Sequence, residues 1–550
     1  MKRNSFIEGA MITTIGIVIC KIIGLIYVIP FYGIIGSQGG ALYGYAYSIY
    51  AIFLNLSSSG IPVAISRVVS EYNTLKYYYT KERTYKIGTY IIMGLGLTFF
   101  ILLMLFAKPI ASSILGDLQG GNTIEGVSFV IRIISTTLLI VPLLSVTKGY
   151  LQGHKIMAPS SISNILEQVV RVSIIVGGSF IALKVFNSSL EEAVGIAVFG
   201  ATIGALVAFL YLFYKIQKNK DKLNKDEPMT RSEVQITTKD IIKKIIFYAL
   251  PFVVIDLAQS AFYMVDTFTV VNTMVKLGFG NIAETTIGTI TTWASKLNMI
   301  VISISTGIII SLIPNIASSY VKKDMTDVSK KINQALQILL FAILPMTIGL
   351  HFLATPTWVL FYSYDIVSIS IFKIFIFQAL SFSIYMLLID IFQTMNDTKI
   401  ALGTLFGSFF GKLLLNIPMM HLCKLIGIDV YYGPSMTTLL VHMVAIIFLF
   451  YKLKTKYKIN YQEMRYNALK TILCVLIMVI VLKILNIFLT IDAPTRIEAF
   501  IKVGIYSFVG ALVYITVAYS SRLIHHIFGE NIVKMVISKI PFVKKKIKLD

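Results

Sequence analysis

Residues 88–107 read GTYIIMGLGLTFFILLMLFA, a run of twenty residues without a charged side chain. A helix rises about 1.5 Å per residue, so a run of this length crosses the roughly 30 Å hydrocarbon core of a bilayer. Lys86 and Lys108 flank the run, one on each side. The stretch therefore predicts a membrane-spanning helix.

The composition of the whole chain agrees with this prediction. Of the 550 residues, 56% are hydrophobic and only 14% are charged, and the mean hydropathy is +0.79. Soluble domains carry about 25% charged residues, so a soluble enzyme, a disordered protein and a secreted disulfide scaffold are excluded. The three cysteines are scattered and have no metal-binding spacing.

Apolar runs of similar length recur along the chain and predict an all-α integral membrane protein with about fourteen transmembrane helices. They lie at 7–32, 43–66, 88–107, 128–147, 159–183, 193–214, 244–270, 287–313, 333–354, 366–391, 400–423, 431–451, 469–490 and 499–521. The outer connections are too short for an extracellular catalytic domain, and enzyme signatures are missing from the sequence. We therefore expect a transporter and not an enzyme.

The distribution of Lys and Arg predicts the orientation. The chain has 49 basic and 27 acidic residues, a net charge of +22. If the N-terminus is cytoplasmic, the inner segments hold about 36 Lys and Arg and the outer segments hold about six. Because these residues accumulate on cytoplasmic loops, both termini are predicted to be cytoplasmic in a plasma membrane. The positive charge is explained by topology, so no nucleic-acid partner is expected.

An internal repeat divides the predicted spans. Gln152 follows the fourth span and stands 19 residues before Arg171, and Gln393 follows the tenth span and stands 19 residues before Lys412. Parallel repeats of this kind are a transporter architecture. We predict two six-helix repeats of the same orientation plus two C-terminal helices. The predicted parts are an N-terminal lobe at 1–220, a basic cytoplasmic linker at 221–242, a C-terminal lobe at 243–458, and two extra helices with a basic tail at 459–550.

Basic residues inside predicted spans are the first candidates for function, because each costs about 2.5–3.5 kcal/mol at a helix centre. Those near span ends can extend to the interface; they are Arg132, Lys373 and Lys483. Those that lie deeper are Lys21, Arg171, Lys296 and Lys412. The deep set predicts a cationic cavity for an anionic substrate.

Structural alternatives remain open for two of the deep residues. Arg171 follows Glu167 at i,i+4, the spacing of a helix ion pair. Lys412 has Asn416 one turn further along its helix and could be satisfied there. Lys21 and Lys296 have no acidic neighbour on their own predicted helix, so the cavity hypothesis rests on them.

Two acidic residues share the seventh predicted span. Asp256 and Asp266 are ten residues apart and point about 80° apart around a helix. A carboxylate buried in a transporter helix can bind Na⁺ or a proton and so couple transport to an ion gradient. It can equally neutralise a lysine on a neighbouring helix, and Asp390, near a helix end, is interpreted as structural.

Several motifs are distinctive: ICKIIG at 19–24, GIPVAISRVVSEY at 60–72, KGYLQGHKIMAP at 148–159, EQVVRV at 167–172 and SLIPNIASSY at 311–320. Together with the predicted spans they resemble the MurJ/SpoVB branch of the MOP exporter superfamily, in its Gram-positive form, over essentially the whole chain. The resemblance implies a MATE-like fold. It also implies a flippase that moves a lipid-linked cell-wall precursor, such as undecaprenyl-diphosphate-linked lipid II, to the outer leaflet.

The resemblance also implies roles for particular residues. Lys21 and Lys296 match basic residues that line the family's central cavity, and Asp266 matches an acid near which some members bind Na⁺. The family's basic residue on the second helix falls at Leu54–Asn55, which are uncharged, so Arg67 is the nearest substitute. The two extra C-terminal helices correspond to the groove proposed for the lipid tail.

The sequence leaves alternatives open for the energy source of transport, for the binding partners and for the substrate. Coupling to Na⁺, to H⁺ or to the membrane potential is expected, with anionic membrane lipids and cell-wall synthesis proteins as partners. The substrate is a peptidoglycan precursor, another undecaprenyl-linked polysaccharide or a spore-cortex precursor. A MATE-type drug exporter and a non-transporting cell-wall scaffold are the other readings of the sequence.

Overall fold

The computed structural model of the chain describes residues 6–58, 60–219, 223, 233, 235–489 and 494–530. Helices make up nearly all of this part, and no strand occurs within these ranges. The α-helices are α1 (Phe6–Ile26), α2 (Val28–Ser58), α3 (Ile61–Thr74), α4 (Tyr78–Leu115), α5 (Ile124–Ser135), α6 (Val141–Gly153), α7 (Ala158–Ser173), α8 (Leu190–Lys218), α9 (Thr238–Lys276), α10 (Gly280–Gly288), α11 (Ala294–Val321), α12 (Met325–Phe352), α13 (Ala354–Phe361), α14 (Ile366–Phe375), α15 (Phe377–Thr394), α16 (Thr398–Leu425), α17 (Gly433–Tyr457), α18 (Gln462–Phe488), α19 (Arg496–Ser520) and α20 (Leu523–Phe528).

Local sequence explains where many of these helices begin. Proline, whose missing N–H is no loss in the first turn, starts α3, α6, α7 and α17. Capping boxes, in which a hydroxyl and a carboxylate satisfy exposed backbone N–H groups, start α8, α9 and α19. At the start of α12, Asp324 accepts hydrogen bonds from Thr326 and the backbone of Asp327, which lower the pKa of its carboxyl group.

Twelve helical runs in the described residues are long and apolar enough to cross a membrane. They coincide with twelve of the fourteen spans predicted from the sequence. The other two predictions, 7–32 and 244–270, fall on α1 and α9, which are helices but are not among the twelve. The all-α membrane architecture is confirmed, whereas the number fourteen is not.

The described chain forms two compact units. The first contains the chain up to Trp293 together with Asn416–Tyr431, and the second contains Ala294–Leu415 and the chain from Tyr432 onward. Helix α16 is therefore divided between them at Leu415. The boundaries predicted from the sequence, at 1–220, 221–242, 243–458 and 459–550, stay predictions, and most of the predicted linker lies outside the described residues.

In the first unit, α3, α6, α8 and α9 enclose an apolar core that includes Ile65, Val68, Tyr150, Leu212 and Ile245. Helix α7 packs on α1 and on α8. The approach of α7 to α8 is close, because a Cβ atom at Gly204 would lie 2.7 Å from the backbone oxygen of Glu167. Glycine at this position therefore lets α8 lie directly against the part of α7 that carries charge.

In the second unit, the two C-terminal helices α18 and α19 pack against α12. Their shared core includes Met478, Leu482 and Tyr514. The Tyr514 hydroxyl donates to the backbone oxygen of Phe341 at 2.8 Å, and Asn467 donates to the Gln337 side chain at 3.1 Å. Buried hydrogen bonds thus join the extra helix pair to the rest of its unit.

Candidate substrate and ion sites

Three charged residues form one cluster in the first unit, which we call the charge cluster: Lys148, Glu167 and Arg171. Glu167 and Arg171 lie one turn apart on α7, and their side chains pair at 2.5 Å. Lys148 of α6 pairs with the other Glu167 oxygen at 3.1 Å. The predicted ion pair is confirmed, and one carboxylate between two cations leaves the cluster with a net positive charge.

The surroundings of the charge cluster are aromatic on the side of α2. Tyr43, Tyr47 and Tyr50 lie within electrostatic reach of Arg171, and the rings of Tyr43 and Tyr47 stack at 4.3 Å. Among the described atoms, the Arg171 Nε is buried without a hydrogen-bond partner. The Arg171 side chain as a whole is 25% exposed. Arg171 is therefore fixed at one end by Glu167 while part of its guanidinium stays open to a further acceptor.

Lys21 lies on α1, one turn before Gly24, where α1 is close to α7. A Cβ atom at Gly24 would lie 3.2 Å from the Gln168 side chain, so the two helices are close here. Lys21 is half-buried, whereas Arg132, Lys373 and Lys483, which the sequence assigns to span ends, are exposed. The division between deep and interfacial cations stays a prediction.

Lys296 lies in the second unit, in the first turn of α11, and is half-buried like Lys21. Its neighbour Asn298 is buried and donates to the backbone oxygen of Phe375 at 3.0 Å, which ties this turn to α14. Lys21 and Lys296 thus belong to different units. Their joint role in a cationic cavity stays a prediction.

Lys412 is completely buried in the second unit, on α16. Its ammonium group donates to the backbone oxygen of Pro434 at 2.8 Å and to the Thr438 hydroxyl at 2.9 Å. The Thr438 hydroxyl in turn donates to the Pro434 oxygen at 3.1 Å. Neutral oxygens at the start of α17 therefore hold this charge, and a role for Lys412 in substrate binding stays a prediction.

Asp266 belongs to a set of oxygen-bearing side chains in the first unit, which we call the oxygen cluster: Asp266, Thr269 and Asn416. Asp266 is buried on α9, and its carboxylate accepts a hydrogen bond from the Asn416 amide at 3.1 Å. The same amide group donates to the Thr269 hydroxyl at 2.6 Å. In the described part of the chain, the amide oxygen of Asn416 is buried without a hydrogen-bond partner.

The oxygen cluster has the chemistry of a site for a small cation. It contains one carboxylate, one amide and one hydroxyl, and the oxygens of such groups are hard ligands. The NH2 end of the Asn416 amide is the end that faces Asp266 and Thr269. Within the described residues, no group of three or more His, Cys, Asp and Glu side chains is placed to hold a metal ion. Ion coupling at Asp266 stays a prediction.

Asp256 lies nearly three turns before Asp266 on the same helix and is half-buried. Asn55 of α2 donates to the Asp256 backbone oxygen at 3.0 Å and to the Ser260 hydroxyl at 2.6 Å. Asn55 is one of the two residues, Leu54 and Asn55, at which the resemblance would place a basic side chain. In this chain the position connects α2 to α9, and an ion-coupling role for Asp256 stays a prediction.

Arg67, the suggested substitute for that basic side chain, lies on α3 and is exposed. Its guanidinium carbon lies 4.2 Å from the centre of the Tyr248 ring on α9, a cation–π contact. One turn further, Glu71 pairs with Lys244 of α9 at 2.5 Å. Arg67 therefore belongs to a contact between α3 and α9, and its role toward substrate stays a prediction.

Sequence reasoning missed three parts of this arrangement. Lys148 and Thr269 were not identified as site residues, although Lys148 begins the KGYLQGHKIMAP motif and Thr269 is at i+3 from Asp266. Lys81 lies in the predicted inner segment between the spans 43–66 and 88–107, but it is completely buried and donates to the backbone oxygen of Leu223 at 2.7 Å. The described linker residue Leu223 is thus attached to the start of α4.

Comparison with known proteins places this geometry in a family. Residues 6–320 match the family described as polysaccharide biosynthesis protein. The lipid II flippase MurJ of Bacillus subtilis (strain 168) is 31% identical over 538 residues, which cover 96% of this chain and 98% of that protein.

Two solved structures share the fold. One is the lipid II flippase MurJ in an inward closed conformation, with a TM-score of 0.68 and 17% identity, covering 93% of this chain and 99% of that one. The other is an inward-facing multidrug resistance MATE family transporter of the MOP superfamily, with a TM-score of 0.64 and 15% identity, covering 80% and 94%. The chain belongs to the MurJ family of lipid II flippases.

Proposed function

We propose that the protein is a flippase that moves lipid II, the undecaprenyl-diphosphate-linked precursor of peptidoglycan, from the inner to the outer leaflet by alternating access. The observation that carries this proposal is the similarity to a lipid II flippase over nearly the full length of both chains. It acts as a transporter in a bacterial plasma membrane, with both termini on the cytoplasmic side. The excess of Lys and Arg on the predicted inner segments supports this orientation.

The charges inside the helices suit this substrate. A diphosphate headgroup does not cross about 30 Å of hydrocarbon unaided. Lys21 and Lys296 are half-buried cations on two different units, and both bind the diphosphate in this proposal. The charge cluster adds a net positive charge beside an aromatic surface on α2, which suits the sugar part of the headgroup.

Ion coupling is assigned to the oxygen cluster. In this proposal Na⁺ is held by Asp266, Thr269 and the unpartnered amide oxygen of Asn416. The bound Na⁺ neutralises the charge of the buried Asp266 carboxylate. In one alternative, protonation of Asp266 couples transport to a proton gradient. In the other, the membrane potential alone drives transport. Anionic lipids near the basic inner segments and cell-wall synthesis proteins are the proposed partners.

The central experiment measures lipid II at the outer leaflet in cells depleted of their own flippase and supplied with this protein. We expect rescue of growth and of lipid II accessibility by the wild type. Lys21→Gln and Lys296→Gln each lower accessibility about tenfold or more, since each removes one cation from the diphosphate. Lys373→Gln, at an exposed position, is the matched control and should behave as the wild type.

Two results would contradict the proposal as a whole. The first is protein that reaches the membrane at normal levels while lipid II stays confined to the inner leaflet. The second is purified protein in vesicles that does not flip labelled lipid II under any ion gradient, as expected of a scaffold. Full transport by both lysine variants would remove the cavity assignment while leaving the substrate assignment intact.

Coupling is tested separately in vesicles with imposed gradients. In the proposal, a Na⁺ gradient accelerates flipping by the wild type, and Asp266→Asn abolishes this acceleration. Asp390→Asn is the control, because it removes a carboxylate that lies elsewhere on α15. Equal flipping with and without a Na⁺ gradient, together with a response to a pH gradient, would assign the coupling to protons.

A flippase for another undecaprenyl-linked glycan is the second candidate function. In this proposal the cations bind the diphosphate. Lipid II and other undecaprenyl-linked glycans share this diphosphate, so the same cations would bind either substrate. Competition between lipid II and other undecaprenyl-linked glycans in the vesicle assay separates the two. A MATE-type exporter of cationic drugs fits less well, because the deep charges on α1, α7, α11 and α16 are mainly basic.

A further inference from the structure

A cavity of about 800 Å³ lies in the second unit, where α17 ends and α18 begins. It is outside the transport sites described above. Its lining includes three cations, two tyrosines and a leucine: Lys454, Lys458, Arg465, Tyr461, Tyr466 and Leu469. The cavity therefore combines concentrated positive charge with an aromatic and apolar edge.

The three cations are available to a bound anion. Among the described residues, none of the three forms an ion pair, and all three are exposed. The neighbouring Lys456, in contrast, is held by Asp397 at 2.5 Å and does not line the cavity. Between Lys454 and Arg465, one lysine is therefore held in an ion pair, and the three cations that line the cavity are exposed.

The wall of the cavity is fixed by hydrogen bonds. Lys458 ends α17 in the left-handed backbone conformation, with a φ of 55°. Asn333 of α12 donates to the backbone oxygen of Asn460 at 2.8 Å, and the Tyr461 hydroxyl donates to the backbone oxygen of Phe450 at 3.3 Å. The loop that carries Lys458 is therefore held in place before any ligand binds, which lowers the entropy cost of binding.

One side of the cavity continues onto a face that suits lipid chains. Tyr466 and Leu469 line the cavity and are 56% and 62% exposed. One turn further along α18, Leu473 is 58% exposed. A lipid with its headgroup in the cavity would place its acyl chains along this apolar face of α18.

We propose that the cavity is a binding site for the phosphate headgroup of an anionic phospholipid. Three cations match a phosphate group, and the exposed face of α18 matches acyl chains. The basic segment 452–470 belongs to the predicted cytoplasmic side, where anionic phospholipids form a continuous surface in large excess over any lipid-linked precursor. This abundance favours a phospholipid over the transported substrate as the occupant, and the site does not depend on which glycan is transported.

The test uses the full-length protein in detergent micelles that contain either phosphatidylglycerol or phosphatidylcholine. Binding is measured by native mass spectrometry as the amount of each lipid retained. We expect a preference for phosphatidylglycerol in the wild type. The triple variant Lys454→Gln, Lys458→Gln, Arg465→Gln should bind phosphatidylglycerol roughly tenfold or more weakly, since each cation near an anionic lipid contributes about fivefold.

A matched triple variant controls for net charge. Lys322→Gln, Lys323→Gln, Lys330→Gln removes three exposed cations from another predicted inner segment of the same unit. Its phosphatidylglycerol binding should equal that of the wild type. Equal losses in both variants, or no loss in the first, would overturn the proposal. Both variants change exposed side chains, and their melting temperatures without added lipid verify that each is folded.

A competition experiment separates the two possible sources of phosphate. Undecaprenyl diphosphate is added to the wild type in phosphatidylglycerol micelles at a molar ratio far below that of the phospholipid. We expect phosphatidylglycerol to remain bound. Displacement that disappears in the Lys454, Lys458, Arg465 variant would show that the cavity takes the substrate, and the phospholipid assignment would then be wrong.

Discussion

Arg171 in the first unit and Lys412 in the second stand at matching places in the internal repeat, each 19 residues after a glutamine that follows a predicted span. The two cations are satisfied in different ways. Arg171 pairs with Glu167, which also pairs with Lys148. Lys412 donates to a backbone carbonyl and a hydroxyl.

The partners of the two cations differ because the sequence around them differs. At the offset that aligns Arg171 with Lys412, Ser408 stands where Glu167 stands. Ser408 is buried and accepts a hydrogen bond from the Tyr385 hydroxyl at 3.2 Å. Both halves of the repeat therefore have a cation at this position, but a carboxylate binds Arg171 whereas a carbonyl and a hydroxyl bind Lys412. Equivalent positions in the two halves thus have different electrostatic surroundings.

Removal of the shared carboxylate tests the first half of this comparison and has the largest expected effect. Glu167→Gln leaves Lys148 and Arg171 as two like charges in a largely buried place. Breaking a buried pair in this way costs about 3–5 kcal/mol. We expect a large fall in the apparent melting temperature in detergent micelles. Adding Lys148→Met should restore part of the loss, and failure of the double variant to recover would show that the two cations do not interact through Glu167.

Removal of the second cation tests the other half and has an intermediate expected effect. Lys412→Met loses two hydrogen bonds but also relieves the desolvation of a buried ammonium group, and Thr438 still donates to the Pro434 oxygen. We expect a net change of less than about 2 kcal/mol in the stability to thermal unfolding. A loss as large as that of Glu167→Gln would place Lys412 in a charge network and end the contrast between the two cations.

A conservative exchange at the first cation has the smallest expected effect. Arg171→Lys keeps the positive charge at i,i+4 from Glu167 but loses the planar guanidinium. Since about a quarter of the side chain is exposed, we expect a stability loss of about 1 kcal/mol or less. If flipping falls strongly while the melting temperature stays near the wild-type value, the guanidinium itself contacts the substrate.

The fold was predictable because its signals are local. Twelve of the predicted spans coincide with apolar helices long enough to cross a membrane, since twenty apolar residues in a row identify a span without any knowledge of its neighbours. The prediction of fourteen exceeded this number at 7–32 and 244–270. Both segments are helical in the described residues, as α1 and α9, but neither is among the twelve.

The site was predictable only within single helices. The Glu167–Arg171 pair follows from the i,i+4 spacing, and the deep cations follow from their distance to span ends. The contact of Asn416 with Asp266 joins residues 150 positions apart, and Lys412 meets Thr438 across 26 positions. Such contacts depend on which helices lie side by side, and helical periodicity carries no information about that.

The sequence by itself determined that this chain is an all-α membrane protein, which segments are helical, where positive charge accumulates and which motifs it shares with its family. The tertiary structure decided the partners of the buried charges: Lys148 beside Glu167, the Asn416 amide between Asp266 and Thr269, and Pro434 and Thr438 around Lys412. The physical reason is the bilayer. Burial in hydrocarbon stabilises each helix independently of its neighbours, whereas charges such as Lys148 and Lys412 are stabilised by groups on other helices.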